Sequence, residues 1–253
     1  MKTLYQSLAE ELPDPGLLFL NYGFAVAGDT ESWVLASDTC YRYHLGLVRH
    51  VLQDVDVRNK TVLEVGCGRG GNCYYLTHYT QAGQVVGLDY CLQNIELARR
   101  NPKLRKVKLV AGDAQGLPFA DESIGIILSL ESAHCYPDFA GFLAESARVL
   151  SRGGTLCFAD MWDLDVIGVD WPSRKNALAN SSLKIVVWED ISEQVFQALS
   201  GSDGICNELC CLAPPEGSDL VERLVRGAQD LRADLASGCC SYHLWKMRKD
   251  TSP

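Results

Sequence analysis

Three acidic residues and a cluster of glycines carry the strongest chemical signal in this sequence. Glu64 lies two residues before Gly66 in the run Val62-Leu63-Glu64-Val65-Gly66-Cys67-Gly68-Arg69-Gly70-Gly71. An apolar run that enters such a turn and leaves it as a helix brings backbone N–H groups close to a ligand, because glycine tolerates positive φ and carries no side chain. The helix N-terminus adds partial positive charge that suits a carboxylate or a phosphate. Gly66-x-Gly68-x-x-Gly71 alone also fits a dinucleotide fingerprint, so the glycines do not name the ligand. Asp89, twenty-one residues after Gly68, stands where a carboxylate can accept both hydroxyls of a ribose. Asp113, in Gly112-Asp113-Ala114, is placed to accept from an adenine amino group while a neighbouring backbone N–H donates to the ring. Glu64 would repel a pyrophosphate and attract an ammonium group. The three acids together describe a ligand with an amino group, a ribose and an adenine, and no phosphate.

A second constellation handles protons. His134 follows an apolar run in Ser132-Ala133-His134-Cys135, and Asp160 comes 26 residues later at the end of the next one. A carboxylate there can orient an imidazole and stabilise its charged form, although Asp160 also reads as a plain strand-end or capping residue. Histidine suits general-base work because its unperturbed pKa is ~6.5. Tyr22, in Asn21-Tyr22-Gly23, reads either as a lid tyrosine able to reach His134 or as an ordinary half-buried aromatic. Glu131 could shape the same pocket or be structural. Trp162, Trp171, Trp188 and Phe196 read as core residues or, taken together, as the lining of a bulky apolar acceptor pocket.

The elements that must position these groups alternate in type. Apolar, β-branched runs at Thr61–Val65, Gln84–Asp89, Val107–Ala111, Ile124–Leu130 and 155–159 read as strands. Between them, 72–80, 91–100 and 138–150 read as helices, the last with Asp138 as its N-cap. Near-continuous apolar strands separated by helices predict an α/β fold with an open, doubly wound, Rossmann-like parallel sheet that binds ligands beyond its carboxyl ends. The flanks hold a further apolar stretch at 183–192, a helix at 192–199, a Cys/Pro loop, an amphipathic helix at 219–235 and a last strand at 241–247.

A ligand with an amino group, a ribose and an adenine but no phosphate fits S-adenosylmethionine (SAM). The chain resembles the class I SAM-dependent methyltransferases. LEVGCGRGG resembles that family's first motif, VVGLDY its second and AGDAQGLPF the adenine-side motif. IILSLESAHCYPDF and ARVLSRGGTLCFAD resemble the motifs of the fourth and fifth strands. The resemblance covers roughly residues 60–162 and implies a seven-stranded sheet whose last strand is antiparallel. It further implies one methyltransferase domain over 1–253: N-terminal lid helices in 1–59, a SAM-binding core in 60–162, and an acceptor-side lid with the last strands in 163–253. Glu64, Gly66, Gly68, Gly70, Asp89, Tyr90, Asp113, Ala114 and Leu130 are then expected at the cofactor, and His134, Asp160 and Tyr22 at the chemistry. No metal is expected. The His–Asp pairing is similar to that of natural-product sugar O-methyltransferases, and LESAHCYPDF resembles methyltransferases of polyketide lipids of the phthiotriolone type. Both imply a hydroxyl acceptor on a lipophilic small molecule, with S-adenosylhomocysteine as the second product.

Composition narrows the partners. The chain has 253 residues, 47% hydrophobic and 22% charged, as in globular proteins. With 23 Lys+Arg against 32 Asp+Glu, its net charge of −9 disfavours nucleic acid and anionic membranes. No run approaches the ~20 apolar residues of a membrane helix, and the first residues do not form a signal peptide. A cytoplasmic protein with its eleven cysteines reduced is the expectation. Cys206, Cys210, Cys211, Cys239, Cys240 and His243 lack zinc-ribbon spacing. N- or C-methylation, a SAM-binding cyclase that transfers no methyl, and a nicotinamide-dependent dehydrogenase remain the rival readings; Glu64 counts against the last.

Overall fold

The computed structural model describes residues 2–25, 31–164, 169–200 and 219–251. Seven strands form one sheet: β1 (Thr61–Val65), β2 (Gln84–Asp89), β3 (Val107–Ala111), β4 (Ile124–Leu130), β5 (Leu150–Trp162), β6 (Lys184–Asp190) and β7 (Ser241–Arg248). Their order is β3-β2-β1-β4-β5-β7-β6. The first five run parallel, and β7 lies antiparallel between β5 and β6. The sheet therefore has the expected strand number and the antiparallel last strand. The chain reverses strand order at β1 and β4, and the glycine turn leaves the sheet at that switch point.

The helices are α1 (Lys2–Glu11), α2 (Arg42–Val51), α3 (Gly71–Tyr79), α4 (Leu92–Arg100), α5 (Phe139–Val149), α6 (Trp171–Ala179), α7 (Ser192–Ser200) and α8 (Asp219–Ser237). Asp138 caps α5 by accepting from the Gly141 N–H at 2.8 Å. The central strands are buried on both faces, whereas the edge strand β6 is exposed. Val62, Ile126, Leu128 and Ala159 pack on one side with Leu45, Val48 and Leu76 from α2 and α3. Leu63, Ile127 and Phe158 pack on the other with Phe142 and Leu143 from α5. This two-sided burial is why the strands read as continuous apolar runs. The fifth strand is longer than 155–159 because Gly153 and Gly154 lie within it rather than before it. No helix among the described residues is long and apolar enough to cross a membrane.

Candidate active site

The strand alternation decides where Glu64 goes. Val62 and Glu64 point toward α3, while Leu63 and Val65 point toward α5. Glu64 is fully buried, and its two oxygens accept from the Asn72 side-chain amide at 2.6 Å and the Cys73 thiol at 2.9 Å. Glu64 itself is not on the cavity wall, and a chain of side-chain hydrogen bonds leads from it there. Asn72 lines the cavity, and its Oδ1 accepts from the Asn21 amide at 3.0 Å. Burial pushes the Glu64 carboxyl up to about 8, against the hydrogen bonds of Cys73 and Asn72. Asn21 and Asn72 had no motif to mark them in the sequence.

The glycine turn wraps closely over the strand ends. Gly66 has φ +77°, and a Cβ there would meet the Ser132 Cβ at 2.4 Å, so only glycine fits. Gly70 has φ +86° and precedes α3; a Cβ on it would strike Leu104. Gly66 and Gly71 line the cavity, whereas Gly68 and Gly70 shape the turn behind it. Asp89, at the end of β2, accepts from the Gly68 N–H at 2.7 Å and the Cys91 N–H at 2.8 Å, and so ties the turn to the second strand. Burial raises its carboxyl above the ordinary range, and the two backbone donors oppose that rise. Asp113 Oδ1 accepts from the Gln115 backbone and side-chain N–H groups at 2.9 and 3.0 Å. Asp89, Tyr90, Asp113, Ala114 and Leu130 all stand on the wall of one cavity of 650 Å³.

An N-terminal strap runs along one side of that cavity. Residues 18–21 form part of its wall. Arg69, from the glycine turn, is almost wholly buried and donates to the Leu8 carbonyl at 2.8 Å and the Asp14 carbonyl at 3.3 Å. The Asn101 side chain holds the Pro15 carbonyl. Tyr22 is half-buried and is not among the cavity-wall residues; its backbone N–H donates to Glu131 Oε1 at 2.9 Å.

His134 sits at the other end of the cavity, in a short 3-10 turn, Ala133–Cys135, just after β4. Its backbone N–H donates to Asp160 Oδ2 and its Nδ1–H to Oδ1, both at 2.8 Å. The ring is held to Asp160 through Nδ1, and the Cys135 side chain makes a further hydrogen bond to it. Burial alone would lower the imidazole, but the Asp160 charge and hydrogen bond outweigh it and hold His134 well above the ordinary histidine range. Glu131 lies beside this pair in a left-handed backbone conformation, φ +50°. The same Oε1 that takes Tyr22 accepts the Tyr242 hydroxyl at 2.8 Å. Burial pushes Glu131 up to about 8, partly offset by those two donors.

The aromatic candidates lie elsewhere. Trp162 packs at 4.5 Å from Trp245 and 5.3 Å from Trp171, in the core behind β5, and none of the three lines the cavity. Trp188 is 57% exposed on the edge strand, and Phe196 is half-buried on α7. Trp162 and Trp188 lie on β5 and β6, and Trp171 and Phe196 on α6 and α7, none of them on the cavity wall. Cys67 lines the cavity. Against a hydrogen bond with Cys73 that lowers it, burial and the nearby acids push its thiol up to about 11, which makes it inert. Cys206, Cys210 and Cys211 lie outside the described residues. Among the described residues no group of three His, Cys, Asp or Glu side chains is placed to hold a metal.

The donor set fits SAM on the structure's own terms: a glycine cradle that a Cβ would fill, two strand-end carboxylates, and a polar relay ending in Asn72. Comparison with known proteins agrees. Residues 63–158 match the methyltransferase-domain family model. The chain is 30% identical over 248 residues to the phthiotriol/phenolphthiotriol dimycocerosates methyltransferase of Mycobacterium leprae, covering 97% of this chain and 90% of the relative. It is 34% identical over 198 residues to the fatty-acid O-methyltransferase of Mycolicibacterium smegmatis, 78% of this chain and 71% of that one. The crystal structure of the cyclase SpnF has the same fold, with TM-score 0.74 at 18% identity over 99% of this chain and 95% of that one. The chain belongs to the class I methyltransferase family and is an enzyme that uses S-adenosylmethionine.

Proposed function

We propose that this enzyme transfers a methyl group to a hydroxyl of a lipophilic small molecule in the cytoplasm, with His134 as general base and Asp160 as the group that orients it. The observation that carries this reading is the 2.8 Å contact between His134 Nδ1 and Asp160, beside β4 and β5, in a cavity that Asp89 and Asp113 line from the β2 and β3 side of the sheet. SAM, when bound, supplies an activated methyl group on a sulfonium. The chain's own task is to align the acceptor and to remove its proton. Asp89 and Asp113 would hold the ribose and adenine, and the Glu64–Asn72–Asn21 relay would face the amino acid part. Asp160 fixes the ring so that Nε2 can take a hydroxyl proton and keep it as imidazolium. Asp160 steadies that charge. The names of the relatives, which act on phthiotriols and fatty acids, support a lipid-like acceptor.

One observation favours a second reading. Asp160 keeps His134 protonated well above the usual histidine range. A protonated ring cannot act as a base, but it can donate to an acceptor that arrives as an anion. A fatty-acid carboxylate is such an acceptor, and it needs no proton removed.

Incubation with labelled SAM, a long-chain 1,3-diol in one arm and a long-chain fatty acid in another, separates these readings. Formation of a methyl ether that falls ~10²-fold in His134→Ala supports the base role. A methyl ester formed at a rate that changes only a few-fold in His134→Ala supports the carboxylate reading. SAM binding by calorimetry without S-adenosylhomocysteine formation in either arm would overturn both.

A further inference from the structure

The turn that carries His134 is gripped from two directions. Asp160, on β5, takes the backbone N–H and Nδ1–H of His134. Arg174, on α6, takes the carbonyls. One guanidinium nitrogen donates to the Ala133 carbonyl at 2.6 Å; the other donates to the carbonyls of Tyr136 at 2.7 Å and His134 at 3.3 Å. The Ala133 carbonyl also accepts the Tyr136 N–H at 3.1 Å, closing the turn, and leaving a buried carbonyl of such a turn unpaired is costly. A single planar guanidinium satisfies three at once, which the compact ammonium of lysine cannot do.

The sequence places Arg174 for this task. Pro172 follows Trp171 at the start of α6, and Asp170 caps the helix by accepting from the Ser173 N–H. The Arg174 side chain then runs between the rings of Phe139, 4.9 Å from the guanidinium, and Trp171, at 5.7 Å. It is only 7% exposed and stands on the cavity wall beside His134. The helix lies in the part of the chain after β5, outside the motifs that mark the cofactor half of the site.

We propose that Arg174 is the positioning residue for His134: by holding the carbonyls of Ala133, His134 and Tyr136, it fixes the turn that presents Nε2 to the acceptor. The proposal deepens the reading of His134 as the reacting base and rests on it. It also links α6 to the chemistry, because any shift of this helix moves the turn.

The test compares Arg174→Lys and Arg174→Gln with the wild type by three measurements. Calorimetry with SAM should show affinity within about threefold, since the hydrogen bonds of Arg174 go to Ala133, His134 and Tyr136 and not to Asp89 or Asp113. Hydrogen exchange at 133–136 should speed up about tenfold or more, for the loss of hydrogen bonds worth about 1.4 kcal/mol, while exchange in β1 and β4 stays unchanged. The NMR titration of the His134 ring, identified by its loss in His134→Gln, should shift by about one pH unit toward that of a free histidine. A folded Arg174→Lys or Arg174→Gln protein with wild-type exchange at 133–136 and wild-type His134 titration overturns the proposal. If neither variant folds, Trp171→Leu, which removes one flanking ring, is read by the same exchange and titration, with unchanged values again counting against it. The two ideas fail separately. Loosened exchange with full turnover in His134→Ala leaves the tether and removes the base. Unchanged titration in Arg174→Lys with a dead His134→Ala does the reverse.

Discussion

Asp160 holds His134 at two points: Oδ2 accepts the backbone N–H and Oδ1 accepts Nδ1–H, each at 2.8 Å. The double contact fixes both the turn and the ring, so one carboxylate sets the orientation of the imidazole and its charge.

The first consequence is a pH dependence of known sign. Asp160 raises the His134 pKa, so the neutral, proton-accepting form appears only above the usual histidine range. With a diol acceptor, turnover should climb with pH and reach half its plateau above ~6.5. Asp160→Asn removes the negative charge and leaves the burial, so the midpoint should move down and the plateau should fall about tenfold or more. A pH–rate profile of both proteins, read beside the ring titration by NMR, checks this.

Asp89 supports the cofactor site twice, as a cavity-wall carboxylate and as the acceptor for the Gly68 and Cys91 N–H groups. Asp89→Ala should weaken SAM binding about 10- to 100-fold, since two backbone donors lose their partner along with the ligand's contact. Calorimetry gives the affinity directly, and Asp89→Asn should retain more of it than Asp89→Ala.

Gly66→Ala should destabilise the protein by about 1–3 kcal/mol and abolish tight SAM binding. The added methyl would stand 2.4 Å from Ser132 Cβ at φ +77°, so neither the turn nor the β4 end can stay in place. Denaturant unfolding with and without SAM measures both effects, and a variant as stable as wild type would contradict the close approach.

Glu64 predicts a stability trend in the absence of ligand. Its carboxyl is held at about 8 in the folded chain and falls to ~4.3 when unfolded. The unfolded state therefore ionises first, and this group's contribution to stability declines as pH rises from about 4.3 to 8. Glu64→Gln cannot ionise, so the stability of the variant relative to wild type should improve steadily across that window. Chemical denaturation at pH 5, 6, 7 and 8 supplies the test.

The cofactor half of the site was legible in the sequence because its signals are local. Asp89 ends β2, Gly66 follows β1 directly and Asp113 comes two residues after β3, and short apolar runs followed by glycine or aspartate mark those places without any long-range information. Asp138 as a cap is local in the same way. The pairing of His134 with Asp160 was also readable, since adjacent parallel strands bring equivalent ends together. Glu64 was read as a residue of the first strand, and it lies there, but its side chain is buried against α3 and is not part of the cavity wall. Its direction follows from which face of β1 meets α3, and that depends on how the helix packs.

The rest belongs to tertiary structure alone. Arg174, Asn21 and Asn72 sit in no motif, and they reach the site because α6, the strap at 18–21 and α3 converge on it from distant parts of the chain. Trp162 and Trp188 have the composition of a binding wall, yet strand order and pleat turn one into the core and the other toward solvent. Sequence spacing sets what each strand can present at its end. Which side chains meet there is decided by packing across segments a hundred residues apart, because a polar group finds its partner in space only once the sheet and its covering helices have closed.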